Sequence, residues 1–174
     1  MLYNIVFKHV MGRRAKETID LSSTLADIWR VLSEEERELI KKNARFVHYK
    51  KNETIYIEEE QPHDLMCLLK GKVKIYKSGV GGRTQIIRMI RPIQYFGYRA
   101  FFAREPYVTA ASAFESSTVC LISMELIENM LRKNGNLALF FIQMLSCDLG
   151  VADNRVMVKP SSRKLSANEL SRSK

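Results

Sequence analysis

The spacing of apolar residues changes twice along the chain, from a helical to an extended pattern near residue 44 and back after residue 123. Between these points apolar residues alternate with polar ones, as in residues 45–50, or form short runs such as residues 65–69. Gly81-Gly82 separates two such segments and is typical of a hairpin turn. About eight short strands with turn residues between them are typical of a sandwich or barrel, and a jelly roll is among the candidates.

Two helices are predicted before the strands. Leu25 and Ile28 share one helical face, and the Ser and Thr residues at positions 22–24 are expected to cap this helix. Ser33 and Glu36 have the spacing of a capping box, which marks the start of a second helix. Both helices are expected to dock on the strands through their apolar faces.

Two further helices are predicted after the strands. The first, residues 124–134, is expected to end at Gly135, since glycine is common just after a helix. The second, residues 136–158, lacks proline and carries two apolar seams, which cannot both pack on one β-domain. The seam predicted to form a dimer interface comprises Leu137, Phe140, Met144, Cys147, Val151 and Asn154. The seam predicted to cover the strands comprises Ala138, Ile142, Leu145, Leu149, Ala152 and Val156.

The candidate binding site is a stretch of aromatic residues, glycine and proline between residues 93 and 110. Phe96 can fill the core while Gly97 lets the chain turn without a Cβ atom. Residues 98–103 can then form one or two helical turns, whose free N–H groups attract anions, and Pro106 is expected to stop them. The predicted wall of this effector pocket comprises Phe96, Gly97, Tyr98, Arg99, Ala100, Tyr107, Val108 and Thr109.

Length and composition indicate the class of protein. The 174 residues are 46% hydrophobic, enough for one domain with a real core, and no apolar run is expected to be long enough to span a bilayer. The first residues lack the pattern of a secretory leader, so a cytoplasmic protein that does not use a membrane is expected.

The net charge of +9 permits a polyanionic partner. Residues 83–104 hold five arginines and no acid, and residues 159–174 hold five basic residues and one acid. The second region also has no apolar period and is predicted to be a solvated, flexible tail.

Reactive side chains give little sign of catalysis. No acid pair, Ser–His–Asp set or metal spacing occurs, so the chain is not expected to be an enzyme. Cys67, Cys120 and Cys147 lie far apart in apolar surroundings and are predicted to be buried, reduced thiols rather than cluster ligands.

Four short motifs follow one another in a set order. They are LSEEE at residues 32–36, KNETIY at 51–56, LLKGKVKIY at 68–76 and YFG at 95–97. In this order they resemble the effector domain of Crp/Fnr-type bacterial transcription regulators, over roughly residues 25–158. The resemblance implies a double-stranded β-helix, a cyclic-nucleotide-binding-like jelly roll, followed by a long helix that pairs two chains.

Two positions depart from the nucleotide-binding members of that family. In those members a Glu after the Phe-Gly pair holds the ribose hydroxyl, and an Arg at the start of the next strand pairs with the cyclic phosphate. The matching residues here are Tyr98 and Tyr107, which cannot supply those charges, although Arg99 and Arg104 lie nearby. The resemblance therefore implies an effector other than cAMP, or none.

Length is a further departure. The family's winged helix-turn-helix domain follows the long helix and needs about 60–70 residues, whereas this chain ends 16 residues after Val158. DNA would therefore be bound only through a domain missing here, whether the chain is a truncated form or a stand-alone sensor. The predicted parts are an N-terminal extension (1–20), a β-roll domain (21–135), a dimerisation helix (136–158) and a basic tail (159–174).

Three functional classes remain open. The favoured one is the effector domain of a transcription regulator, acting as a homodimer with no predicted cofactor. The second is a haem- or redox-sensing version, because some family members sense gas through haem and His63 lies close to Met66 in the sequence. The third is a small cupin-type enzyme, which would need His and Glu metal ligands, although the chain has only three histidines.

Overall fold

The computed structural model describes residues 21–79 and 83–157. The predictions for residues 1–20, for the Gly81-Gly82 turn and for the tail from residue 158 lie outside the described residues. The elements in chain order are α1 (Leu21–Thr24), α2 (Ala26–Trp29), α3 (Glu34–Asn43), β1 (Arg45–Tyr49), β2 (Thr54–Tyr56), β3 (Asp64–Lys70), β4 (Val73–Ser78), β5 (Thr84–Ile90), β6 (Tyr95–Phe96), α4 (Tyr98–Ala103), β7 (Ala110–Ala113), β8 (Ser117–Ser123), α5 (Met124–Leu131) and α6 (Gly135–Met157).

The eight strands of the described residues form two antiparallel sheets of four strands each. Sheet 1 has the order β1-β8-β3-β6, and sheet 2 has the order β2-β7-β4-β5. Each sheet thus pairs early strands with late ones, as a jelly roll does. The predicted fold class is confirmed, and so is the antiparallel pairing of β4 with β5, in which Val73 lies opposite Ile90.

The core between the sheets combines large side chains with the small ones of β7. Its members are Tyr49, Tyr56, Met66, Leu68, Val73, Ile90, Phe96, Ala100, Tyr107, Ala111, Ala113, Val119 and Leu121. All four residues of β7 are buried, and three of them are alanines. Since alanine takes little volume, the interior has room for aromatic rings such as that of Tyr56, which lies opposite Ala111 on β2.

The N-terminal helices differ from the prediction at their first cap. Residues 22–24, expected to cap a helix, belong to the separate short helix α1, and α2 begins after Leu25 without a side-chain cap. Leu25 and Ile28 are fully buried, as their shared face predicts. The capping box of α3 is present, with the Ser33 N–H donating to Glu36 Oε2 at 2.8 Å and the Ser33 hydroxyl accepting from the Glu36 N–H at 3.3 Å.

The junction between α5 and α6 corrects the role predicted for Gly135. This glycine does not end α5, which stops at Leu131, but is the first residue of α6. Asn134 determines the start of α6, because its Oδ1 accepts the Leu137 N–H at 3.0 Å, and its Nδ2 donates to the Val31 carbonyl at 2.8 Å and to Glu36 at 2.7 Å. A side-chain cap at Asn134 therefore fixes α6 to the N-terminal helices.

The described residues divide into two compact units, one up to Phe140 and one from Phe141 onwards, so the boundary lies within α6. In the first unit Leu137 is fully buried, and the ring of Phe140 meets Tyr95 edge-on at 6.0 Å. In the second unit Ile142 and Leu149 are 57% and 64% exposed. Leu137 therefore has no exposed surface for a partner helix, and the division of the two seams between a partner and the strands stays a prediction.

One expectation about membranes is also wrong. The segment Gly135–Asn154 of α6 is long and apolar enough, by length and composition, to cross a membrane. The polar residues of this segment are too few to offset its apolar ones, and they are Asn136, Gln143, Ser146, Asp148, Asp153 and Asn154. Length and composition are weak evidence of a membrane span, because core helices of soluble proteins pass the same test.

Candidate functional site

Gly97 is the turning point of the candidate site. Strand β6 pairs with β3, with Phe96 opposite Met66, and the chain then turns at Gly97 with φ 87° and ψ −23°. A Cβ atom there would lie 3.2 Å from the Asp64 carbonyl oxygen and 3.3 Å from the Tyr107 hydroxyl. Both the left-handed backbone and the close packing therefore require glycine.

Helix α4 follows this turn and buries part of its surface. Tyr98 and Ala100 point into the protein, whereas Arg99 between them is exposed. The helix ends at Ala103, because Arg104 adopts the left-handed conformation with φ 55°. Pro106, which was expected to stop the helix, therefore lies beyond a helix end that already exists.

The two arginines near the turn are on the surface. Arg99 Nη1 donates to Glu105 Oε1 at 2.7 Å, and both side chains are about half exposed. Arg104 is exposed at the end of α4. Arg99, the basic residue closest to Gly97 in the sequence, is thus paired with the nearby carboxylate of Glu105.

A stacked pair of tyrosines fills the interior next to Gly97. The rings of Tyr56 and Tyr107 lie 3.9 Å apart at an interplanar angle of 18°, and each residue is only 4% exposed. Backbone hydrogen bonds of 2.9 Å link the Tyr107 N–H to the Glu60 carbonyl and the Glu59 N–H to the Tyr107 carbonyl. Tyr107 is therefore held by hydrogen bonds of its backbone and by stacking on one face of its ring.

The two tyrosine hydroxyls have different surroundings. The Tyr56 hydroxyl is hydrogen-bonded to Thr109, whereas the buried Tyr107 hydroxyl has no protein hydrogen-bond partner among the described residues. Burial raises the pKa of Tyr56 to about 12, although Thr109, Arg99 and Arg88 act to lower this pKa. Burial also raises the pKa of Tyr107. Both phenols are therefore neutral at physiological pH.

The structure brings most of the predicted pocket residues together and leaves others on the surface. Phe96, Gly97, Tyr98, Ala100 and Tyr107 surround the turn in the interior. Thr109 is half-buried and reaches Tyr56, whereas Val108 is exposed. Tyr56 was not predicted as a pocket residue. Its strand could be predicted from the sequence, but the pairing of that strand with β7, which brings Tyr56 next to Tyr107, could not.

The residues predicted for the dimer seam also divide by exposure. Leu137 is buried, Phe140 and Met144 are half-buried, and Cys147, Val151 and Asn154 are exposed. The prediction of three buried thiols is therefore wrong for Cys147, while Cys67 and Cys120 are buried. An exposed cysteine on a helix of this kind is available to a second chain or to reagents.

The residues considered for haem lie in different environments. His63 is exposed in the loop before β3, and Met66 is buried in the core, where its Cε would be 3.4 Å from a Cβ at Gly97. Within residues 21–79 and 83–157, no three His, Cys, Asp or Glu side chains are grouped as they would be around a metal ion. The described residues thus contain no grouping that corresponds to the metal set of a cupin-type enzyme.

Comparison with known proteins places this geometry in context. A family model described as the cyclic nucleotide-binding domain matches residues 46–134. An uncharacterised protein of Haemophilus influenzae is 26% identical over 99 residues, which cover 57% of this chain and 77% of that protein.

Two solved structures share the fold. The sensor domain of the transcriptional regulator DNR from Pseudomonas aeruginosa has a TM-score of 0.66 and 23% identity, over 82% of this chain and 92% of that one. The catabolite activator protein of Thermus thermophilus has a TM-score of 0.64 and 19% identity, over 75% of this chain. This chain covers 61% of the Thermus protein, so it matches about three fifths of that regulator's length.

Proposed function

The chain belongs to the cyclic nucleotide-binding domain family, and from this premise we propose that it is the dimeric effector domain of a Crp/Fnr-type transcription regulator. Its effector is a small molecule other than cAMP, or the domain works without one. It is not an enzyme, it acts in the cytoplasm, and it signals through α6 to a DNA-binding domain outside this chain.

The observation that carries the proposal about the effector is the Tyr56–Tyr107 stack. Tyr107 stands where the resemblance expects the phosphate-binding arginine, and its hydroxyl lies 3.3 Å from the Cβ position of Gly97. The space beside the turn is therefore taken by a neutral ring. A cyclic phosphate placed there would have to displace the ring and lose its hydration without a matched cation, which is strongly unfavourable.

The flanking charges support the same conclusion. Tyr98, at the position of the ribose-binding glutamate, is buried and cannot accept a hydrogen bond as a carboxylate does. Arg99 could offer a cation, but it is exposed and paired with Glu105. Neither half of a cyclic nucleotide thus meets the charge that it needs.

Calorimetric titration of the full chain with cAMP and with cGMP tests this part of the proposal. No binding heat is expected up to a nucleotide concentration of about 1 mM, the weakest affinity of practical interest. A cAMP-responsive regulator serves as the positive control for the nucleotide stock. A dissociation constant in the micromolar range for the unmodified chain would overturn the proposal.

The proposal of a homodimer rests on the exposed apolar side chains of α6. Leu139, Ile142, Leu149 and Val151 are all more than half exposed. Large apolar side chains in a row on one helix are unusual on the surface of a monomer. Leu139, Ile142 and Leu149 share one face of α6. A second copy of the helix about a twofold axis would bury these three side chains against their equivalents.

Sedimentation equilibrium of the chain at tens of micromolar tests the dimer. A mass of twice the chain is expected. A monomer in solution that binds instead to lipid vesicles would contradict the homodimer and identify the apolar helix as a membrane-binding element.

A further inference from the structure

Cys67 and Cys120 are directly opposite each other on neighbouring strands. Strands β3 and β8 are antiparallel, and their register places Cys67 across from Cys120. Directly opposed residues of an antiparallel pair point to the same face of the sheet, with Cα atoms about 4.5–5.5 Å apart. A disulfide requires Cα atoms about 4.4–6.8 Å apart, so this register gives a Cα spacing that a disulfide can span.

Both thiols are shielded in the reduced protein. Each residue is fully buried, and both cysteines are free. Burial, and to a smaller extent the neighbouring Cys120, raises the pKa of Cys67 to about 12. Burial likewise raises the pKa of Cys120 to about 12. The closed sheet therefore holds two neutral thiols of low reactivity, and oxidation has to pass through a local opening of the strands.

The cysteine pair belongs to a row of side chains that crosses sheet 1. Phe46 lies opposite Cys120 on one side, and Tyr95 lies opposite Cys67 on the other. The ring of Tyr95 in turn meets Phe140 of α6 edge-on at 6.0 Å. A change in the distance between the two sulfurs is therefore transmitted by direct packing to the first turns of α6.

We propose that Cys67 and Cys120 are an oxidation site that forms a reversible cross-strand disulfide. With hydrogen peroxide as the oxidant, one thiolate attacks a peroxide oxygen, which gives a sulfenic acid and, after protonation of the leaving hydroxide, one water. The second thiol attacks the sulfenic sulfur and releases a second water, so two thiols and one peroxide yield one disulfide and two waters. A dithiol reductant returns the two electrons and two protons.

The bond changes the packing under α6. An S–S bond is about 2.05 Å long, whereas two sulfur atoms in van der Waals contact are roughly twice as far apart. The row from Phe46 to Tyr95 has to contract around the pair. The site is independent of nucleotide binding and of dimerisation, so its failure would leave the proposed function untouched.

The test oxidises the full chain with hydrogen peroxide or diamide and counts thiols after denaturation. Two of the three free thiols are expected to be lost through the Cys67–Cys120 bond, which lowers the mass by two hydrogen atoms, apart from any oxidation of the exposed Cys147. Non-reducing peptide mapping should join the peptides of Cys67 and Cys120. Dithiothreitol should restore all three thiols.

Single variants separate this bond from other oxidations. Cys147→Ser is the matched control, since this exposed cysteine is outside the pair, and this variant should still lose two thiols. Cys67→Ala and Cys120→Ala should each abolish the intrachain link while circular dichroism confirms that they fold. If Cys67→Ala does not fold, peptide mapping of the Cys147→Ser chain decides alone. Peroxide products confined to Cys147, or a Cys67–Cys120 pair that stays reduced under diamide, would overturn the proposal.

Discussion

Large apolar side chains are buried in the interior of the β-roll, whereas several are exposed on the second half of α6. In the interior, Tyr56 and Tyr107 are stacked and almost wholly buried. On α6, Ile142 and Leu149 are more than half exposed. The apolar surface of the interior is buried within the chain, whereas part of the apolar surface of α6 is not.

This difference indicates where the chain can still bind something. The rings in the interior are already removed from water, and this burial stabilises the fold without a ligand. The exposed apolar side chains of α6 are removed from water only when a partner covers them. In the proposed function, α6 accordingly binds a partner helix and the interior binds no cyclic nucleotide. Four changes to the protein or its conditions test this difference between the two regions.

The largest effect is expected on α6. Ile142→Glu combined with Leu149→Glu places like charges near the proposed twofold axis and should weaken dimerisation by about 100-fold or more. Since both side chains are exposed in the single chain, its own unfolding free energy should change little. Sedimentation velocity over a concentration series measures the first effect, and urea unfolding measures the second.

The matched control for the α6 variant uses the same charges elsewhere on the helix. Asn136→Glu with Gln143→Glu has the same spacing of seven residues and replaces exposed polar side chains. This double variant should remain a dimer. Loss of the dimer in both variants would mean that added charge, rather than the apolar stripe, is responsible.

The second change tests the closed interior at its turn. Gly97→Ala forces a Cβ into the left-handed region and against the Asp64 carbonyl at 3.2 Å. The unfolding free energy should fall by about 2 kcal/mol or more. Gly135→Ala is the control, since a Cβ there meets no atom within 4 Å and α6 gains helix propensity. Equal stability of Gly97→Ala and the unmodified chain would show that the turn can relax.

Much of this architecture could be predicted from local patterns. The change of period at residues 44 and 123, the capping box at Ser33 and the glycine turn at Gly97 each depend on residues close in sequence. The fold class is confirmed, and the family model of the cyclic nucleotide-binding domain matches residues 46–134, which include three of the four motifs.

What could not be predicted depends on contacts between distant residues. Gly135 was assigned to the end of α5 by a local rule, but Asn134 caps α6 and reaches Val31 and Glu36 about one hundred positions earlier. This anchor fixes the first turn of α6, where Leu137 is fully buried. Tyr56 likewise meets Tyr107 only through the pairing of β2 with β7.

The third change raises the pH. Cys67, Cys120, Tyr49 and Tyr56 have folded pKa values of about 12, above the ordinary values of 9.0 for cysteine and 10.0 for tyrosine. Between these limits the folded state binds more protons than the unfolded state, so the unfolding free energy decreases as pH rises. Stability should be flat below pH 9 and fall from there towards pH 12. Urea unfolding across this range checks the slope, and a Cys67→Ala/Cys120→Ala chain should begin its decline nearer pH 10.

The smallest effect concerns a single oxygen atom in each tyrosine of the stacked pair. Tyr107→Phe removes a buried hydroxyl that has no protein partner among the described residues, so the unfolding free energy should rise by about 1 kcal/mol, since a buried unpaired polar group is a cost. Tyr56→Phe removes the same atom from the other ring but breaks its hydrogen bond to Thr109, so stability should fall by about 1 kcal/mol. Both variants keep the stacked rings, so the change in packing is closely matched. Urea midpoints measured side by side at neutral pH should therefore move in opposite directions. A loss of stability in both would mean that a buried water or a ligand pairs with the Tyr107 hydroxyl, and the interior beside Gly97 would then not be closed.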